Sequence, residues 1–365
     1  MTYSDSMPDL PMTQSLKEYD PDGLARLVKE CGGAAFRARQ LYQWLFVHWA
    51  ASFDQMTNLP KTLLEALASK GCIDSIRPET PLTADDETVK WLSWLQDGNT
   101  IETVLIRAPE RNTVCVSTQV GCAVRCVFCA SGRGGLVRNL TKAEIMDQVI
   151  LPSRFLGRRV DNVVVMGMGE PMHNLDALIP ALDELGNPDG FNLGARHVTI
   201  STSGVPEGIR RLADTGRQWN LALSLHAVDD ETRARIIPDH HRAPLEEIYS
   251  ACEYHREKTG RMLTLEYALV QGVNDSQVQC QKLALIALSL RAKVNLIPCN
   301  PTGTVNHAPN ETVCRAFLDW LLAQNVQATI RLSKGRQIQA SCGQLRQKRI
   351  MEVATVGNNQ AASHL

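Results

Sequence analysis

The chain has 365 residues, 44% of them apolar and 21% charged, which suffices for one large domain, a smaller companion and a sizeable buried core. A formal net charge of −1 excludes a globally basic nucleic-acid binder, so any contact with RNA has to come from local patches. Eleven cysteines, an odd number, and no apolar run near the roughly 18 residues of a membrane span argue against a disulfide framework and for metal or thiol chemistry in the cytoplasm, away from membranes.

Residues 1–20 read as a flexible leader, without the basic start and apolar core of a signal peptide. Residues 21–75 are expected to form a small helical accessory domain with its own core. In "FRARQLYQWLFVHW", Leu41, Trp44, Leu45 and His48 or Trp49 fall on one face at helical spacing. Residues 76–111 read as a β extension, with the runs "VKWLSWL" and "IETVLI" set between polar turns. From 112 to 350 seven β-rich runs alternate with helix-length segments: "TVCVSTQV", "NVVVMGMG", "HVTISTSG", "LALSLHA", "LTLEYALV", "KVNLIPCN" and "QATIRLS". The first helix opens on a capping box, Thr141 with Glu144.

This alternation predicts an α/β fold of parallel strands with helices outside, as a barrel or a doubly wound sheet. Polar residues at successive strand ends (Gly169 and Glu170, Ser201 and Ser203, Ser224 and His226, Asn300) favour a barrel mouth carrying a site. Residues 351–365 read as a disordered tail.

"VGCAVRCVFCASG" places Cys122, Cys126 and Cys129 at C-x3-C-x2-C spacing. A structural zinc site wants four protein ligands, usually as two separated pairs, and Cys115 is available as a fourth. Three thiols within eight residues suit an iron–sulfur cluster with one iron left open, and the spacing favours that reading.

That spacing, with Phe128 before the third cysteine, resembles the cluster loop of radical S-adenosylmethionine (SAM) enzymes. Together with "VVVMGMGEPMHN", "HVTISTSGV", "LALSLHA", "VNLIPCNP" and "SCGQL" it resembles the RlmN/Cfr family of adenine methyltransferases, in order over residues 20–350. The resemblance implies a partial (β/α)6 TIM-like radical SAM barrel. It also implies a 4Fe–4S cluster on Cys122, Cys126 and Cys129, and two SAM molecules per turnover. Gly169, Glu170, Ser201, Ser224, Leu225, His226 and Asn300 match the SAM-contact positions. Cys342 is then the thiol that is first methylated and later linked to the adenine. Cys115 resolves that adduct through a disulfide, and Glu102 accepts the ring proton.

The implied substrate is an adenine of 23S ribosomal RNA at C2, with transfer RNA as a second substrate. The implied reductant is a flavodoxin or ferredoxin, and a monomer is expected. A C8-methylating, Cfr-type enzyme conferring antibiotic resistance and a non-catalytic RNA-binding protein with a structural zinc stay open as alternatives. Two segments, 237–247 and 333–341, depart from the family's pattern; Gln337 stands where an acidic residue is expected.

Two runs without Asp or Glu flank the proposed thiols and are expected to meet phosphates: Arg111, Arg125, Arg133, Arg138 and Lys142, and Arg331, Lys334, Arg336, Arg346, Lys348 and Arg349. His240 and His241 read as an exposed loop. Cys31, Cys72, Cys252, Cys280, Cys314 and Cys299 read as packing residues.

Overall fold

The computed structural model describes residues 13–238, 242–300, 307–331, 334–338 and 340. Cys342, His240, His241, Arg346, Lys348, Arg349 and the expected tail lie outside the described residues.

Three helices come first: α1 (Pro21–Glu30), α2 (Phe36–Phe46) and α3 (Lys61–Lys70). Helix α1 starts where Pro21 presets the first turn and the Asp20 carboxylate accepts from the Gly23 N–H at 2.6 Å. The buried face of α2 is Ala38, Leu41, Tyr42, Leu45 and Phe46, rotated from the expected one. Trp44 is half-buried with its indole N–H on Asn58 Oδ1 at 2.7 Å. His48 is exposed, because the helix stops at Phe46 and Trp49 turns left-handed at φ 52°.

The sheet begins with antiparallel strands β1 (Ile76–Pro78), β2 (Leu82–Thr83), β3 (Val89–Leu95) and β4 (Thr100–Ala108). Strand β5 (Arg111–Cys115) pairs antiparallel with β4 and parallel with β8 (Asn162–Val165). Between them lie a small ribbon of β6 (Gln119–Gly121) and β7 (Leu136–Asn139), and helix α4 (Lys142–Leu156). The run "TVCVSTQV" is thus two strands, broken after Cys115. The Thr141–Glu144 capping box is present in both directions.

The order then continues α5 (Leu175–Gly186), β9 (Val198–Thr202), α6 (Pro206–Asp214), β10 (Asn220–Ser224), α7 (Asp230–Ile236), α8 (Leu245–Thr259), β11 (Thr264–Leu269), α9 (Gln277–Ser289), β12 (Lys293–Pro298), α10 (Glu311–Ala323) and β13 (Ala328–Ile330). Strands β8 to β13 pair parallel in chain order, as helix-linked β–α–β crossovers require. Among the described residues the result is one eleven-stranded mixed sheet with helices, an α/β fold extended by an antiparallel flank. The β extension is therefore continuous with the main sheet.

The N-terminal helices share one apolar core with the sheet rather than keeping a core of their own. Ion pairs fix this junction. Lys17, fully buried, reaches Asp147 of α4 at 2.5 Å and Asp74 at 2.8 Å. Arg154 of α4 meets both oxygens of Asp74 at 2.6 and 2.9 Å and donates to the Trp49 and Ala50 carbonyls. Removing one partner would strand a buried charge. Among the described residues no helix is long and apolar enough to cross a membrane.

Candidate active site

One cavity of ≈ 230 Å³ opens at the C-terminal ends of the parallel strands, and it gathers most of the expected residues. Cys122, Cys126, Cys129 and Phe128 line it from the loop between β6 and β7. Gly169 and Glu170 follow β8, Ser201 comes from β9, Ser224 ends β10, His226 follows it, and Asn300 follows β12. Leu225 is fully buried but lies outside this lining.

The loop is shaped by close backbone approach. At Gly121 (φ +79°) a Cβ would lie 1.9 Å from the Gly135 carbonyl oxygen, and at Gly132 one would lie 2.7 Å from Arg125 Cα. Gly169 (φ +105°) lets Gln119 pack within 2.6 Å of where its Cβ would be. Gln119 Oε1 then accepts from the Glu170 N–H at 2.8 Å. The Glu170 carboxylate is buried and already accepts from the Met172 N–H (3.1 Å) and the Ser203 N–H (2.7 Å).

Ser201 and Ser224 hydroxyls sit 3.0 Å apart. His226 holds a left-handed backbone (φ 56°) and packs edge-on against Phe128. Its Nδ1 accepts from the Ala268 N–H at 3.0 Å, which leaves the ring proton on Nε2. Burial, then the nearby Arg233 guanidinium, pulls His226 down to about 3, so the ring is neutral.

Glu102 and Cys115 lie outside the cavity lining but face the same way as each other. Cys115 pairs with Val104 across β4 and β5, and Glu102 is two residues along. Thr103, on the opposite face, bonds Gln148 of α4 at 3.3 Å, so Glu102 and Cys115 point away from that helix. The Ser117 hydroxyl donates to the Glu102 carbonyl (2.9 Å) and accepts from the Met168 N–H (3.0 Å), which ties this pair to the end of β8.

The donor set fits a cluster. Burial pushes the Cys122 thiol up to about 12, and neighbouring Cys129 and Glu170 add to the rise. Cys126 is pushed well above the ordinary range by burial, then by Cys129, Cys122 and Glu170. Three thiolates can share this cavity only with a cationic centre to compensate them. Among the described residues no three His, Cys, Asp or Glu side chains converge on one metal ion. A tetrahedral zinc draws its sulfurs to about 2.3 Å from one point, whereas a cluster binds each thiolate to a different iron. The Ser131 hydroxyl, buried beside Cys129 in the lining, has no hydrogen-bond partner among the described residues.

The model of the radical SAM superfamily matches residues 116–280, and that of the ribosomal RNA large subunit methyltransferase N-terminal domain matches residues 14–73. Among curated proteins, the probable dual-specificity RNA methyltransferase RlmN of Geobacillus kaustophilus is 43% identical over 349 residues, 94% of each chain. That of Symbiobacterium thermophilum is 42% identical over 340 residues, 92% of each. A crystal structure of a radical SAM methyltransferase from Sphaerobacter thermophilus superposes with a TM-score of 0.87 at 41% identity, covering 91% of this chain and 98% of that one.

The chain belongs to the RlmN family. It is a radical SAM methyltransferase, with a 4Fe–4S cluster and SAM as the cofactors of its superfamily.

Against the RlmN reading, two features of the sequence analysis need correction. Of the basic run at 111–143, Arg138 is bound to Asp97 and Glu144, and Lys142 is buried near Glu184, so only Arg111, Arg125 and Arg133 are exposed. Cys299, read as packing, is buried and also lines the cavity. Of the other five cysteines, Cys252, Cys280 and Cys314 are buried, while Cys31 and Cys72 are half-buried. Sequence reasoning missed Glu266, a buried carboxylate on β11 that lines the cavity. Its signal was a single charge inside the otherwise apolar, wholly buried run of β11.

Proposed function

We propose that the chain methylates C2 of an adenine in 23S ribosomal RNA, and in transfer RNA as a second substrate. The observation that carries this reading is the convergence of Cys122, Cys126 and Cys129 with Glu170, Ser201, Ser224 and Asn300 around one cavity in a fold of this family. The substrate follows the relatives, which are named as dual-specificity RNA methyltransferases. Residues 112–350 carry the chemistry, and residues 21–75 act as an accessory to RNA recognition. A flavodoxin or ferredoxin supplies electrons to a cytoplasmic monomer.

Bound in this cavity, the cluster and SAM supply a methyl group and the radical that activates it. The protein's part is to carry that carbon. Cys342 holds the methyl group on Sγ; once the SAM-derived radical would have taken one of its hydrogens, the same carbon bonds to adenine C2, joining RNA to protein, and the surplus electron would pass back to the cluster as the ring proton leaves. Glu102 takes the C2 proton. The Cys115 thiolate then attacks Sγ of Cys342 and breaks its bond to carbon. That electron pair leaves toward the ring and is protonated, which completes the methyl group. A Cys115–Cys342 disulfide remains, and two electrons reopen it. The target base has to leave its stack to reach the cavity. Arg331, exposed at the cavity rim with Nη1 3.7 Å from Met166 Sδ, offers a phosphate contact there.

The test is anaerobic turnover on ribosomal RNA fragments with methyl-labelled SAM, followed by mass spectrometry of the nucleosides. 2-Methyladenosine is expected, absent with Cys342→Ala and held as an RNA–protein adduct with Cys115→Ala. An 8-methyl product would move the chain to the resistance-type activity. An intact cluster that cleaves SAM without modifying RNA would refute the substrate.

A further inference from the structure

Arg233 of α7 is among the largest fully buried side chains of the described residues, at 1% exposed. Its Nη2 donates to the Ser203 carbonyl and its Nη1 to the Ala243 carbonyl at 3.4 Å, while Nε finds no acceptor among the described residues. No carboxylate among those residues takes a hydrogen bond from it. Asp230, one turn earlier on α7, accepts from the Leu245 N–H at 3.1 Å. Arginine stays protonated inside proteins, so a full positive charge lies in the core on neutral acceptors. A buried charge without a counter-charge is strongly unfavourable.

The anion that answers it lies on the cysteine loop. Val127, next to Cys126, donates its N–H to the Ile236 carbonyl at the end of α7 at 3.0 Å. Cys126 itself packs on the apolar cluster that contains Ile236 and Ile237. At the far end of the side chain, Ser203 links Arg233 to the cavity wall. Its carbonyl accepts from the guanidinium, and its N–H donates to the Glu170 carboxylate at 2.7 Å. Ser203 and Glu170 line the cavity and Arg233 does not, so the cation is held behind the wall. Burial, then Arg242, draws the guanidinium down, and Cys126 is the foremost group acting the other way, ahead of Asp230. Cys126 is raised by burial, Cys129, Cys122 and Glu170, and Arg233 opposes that rise.

A cluster held by three thiolates is an anion, and each electron it takes up makes it more so. A fixed cation beside Cys126, sealed from water, favours the reduced form. We propose that Arg233 is the buried counter-charge of the cluster, acting through Cys126 to raise its reduction potential. The step is one electron passing from the flavin or iron–sulfur protein donor to the cluster, with no bond or proton moving. This rests on Cys126 being a cluster ligand.

The experiment is an anaerobic redox titration, with titanium(III) citrate and mediators, of the reconstituted full-length holoenzyme and of Arg233→Gln and Arg233→Lys. The cluster's spectroscopic signal reads the midpoint, and iron and sulfide are measured on the same samples. Arg233→Gln removes the charge and keeps a donor for the Ser203 carbonyl, whereas Arg233→Lys keeps the charge. Arg233→Gln should be about tenfold harder to reduce, a midpoint about 59 mV more negative, the scale of one unit charge in a partly screened interior. Arg233→Lys should stay close to the wild type.

If Arg233→Gln holds no iron, Arg233→Lys decides: iron retained there supports the proposal, because charge is then what assembly requires. A wild-type midpoint in Arg233→Gln would overturn it. So would equal shifts or equal iron loss in both variants, since a residue that merely holds the Ser203 and Ala243 carbonyls is indifferent to the charge of its replacement. Cys126→Ala separates the two levels. It should prevent cluster assembly, and wild-type iron in that variant would overturn the ligand assignment and the role of Arg233 with it.

Discussion

The cysteine loop at residues 119–135 and the row formed by β9 to β13 hold their side chains by opposite means. The loop relies on backbone shapes that ordinary residues resist: Gly121 and Gly135 at positive φ, Arg125 at φ 56°, and the Val127 N–H on the Ile236 carbonyl at 3.0 Å. Val120 anchors its start in the main core, and a small apolar cluster of Val124, Ala227, Ile236 and Ile237 backs the rest. The row uses ordinary strand backbone, and its ladder fixes Ser224, Glu266, Asn295 and Thr329 side by side. A loop of this kind fails locally when one backbone contact is lost. The row can fail only together with the sheet.

The largest effect should come from breaking the loop's geometry alone. Gly121→Ala drives a methyl group into the Gly135 carbonyl, at a position whose φ already disfavours any side chain. Bound iron should fall to near zero after reconstitution, while far-ultraviolet circular dichroism stays as in the wild type. Retained iron would mean that the loop does not depend on this approach.

Next comes a break at the seam between the two regions. Asn274 is fully buried and donates to the His226 and Ala268 carbonyls at 2.7 Å each, while its Oδ1 accepts from the Val270 N–H at 2.8 Å. Asn274→Ala orphans all three groups and should destabilise the protein by about 3 kcal/mol. A urea titration would show a lower midpoint for the entire sheet, unlike the local failure of Gly121→Ala. An unchanged midpoint would break the distinction between the two regions.

The same contrast governs how much was legible in the sequence. Cys122, Cys126 and Cys129 are close neighbours in the chain, so their gathering on one loop at the cavity was legible in their spacing. The Thr141–Glu144 capping box and the strand–helix alternation were readable for the same reason, because each is a local pattern. Glu266 and Asn295 are 29 residues apart and meet only through strand register. In "LTLEYALV" the glutamate looks like a stray polar residue. Glu102 and Cys115 likewise share a face through the β4–β5 pairing, which composition cannot reveal. The buried stripe of α2 was misjudged because the helix ends at Phe46, before His48 and Trp49 can join it. Helix ends respond to packing that the local sequence does not encode.

A smaller effect tests the row from within. Asn295→Ala leaves the Glu266 carboxylate without its amide donor, and should destabilise by about 1–2 kcal/mol while leaving bound iron at the wild-type level. Loss of iron here would show that row and loop are coupled after all.

The smallest effect separates the regions by pH. Burial raises the Glu266 carboxyl above its ordinary value, while Arg331, the Asn295 amide and Lys293 pull it back only in part. The folded protein thus keeps this proton to higher pH than the unfolded chain does. The associated stability is complete below the unfolded carboxyl value of about 4.3, and it is lost as pH rises through the folded value. Glu266→Gln removes the titration. Without SAM, its stability relative to the wild type should therefore improve steadily as pH rises from that range, and the two should match below it. Unfolding midpoints across a pH series would read this trend. A gap independent of pH would mean that Glu266 gains enough from its surroundings to ionise normally.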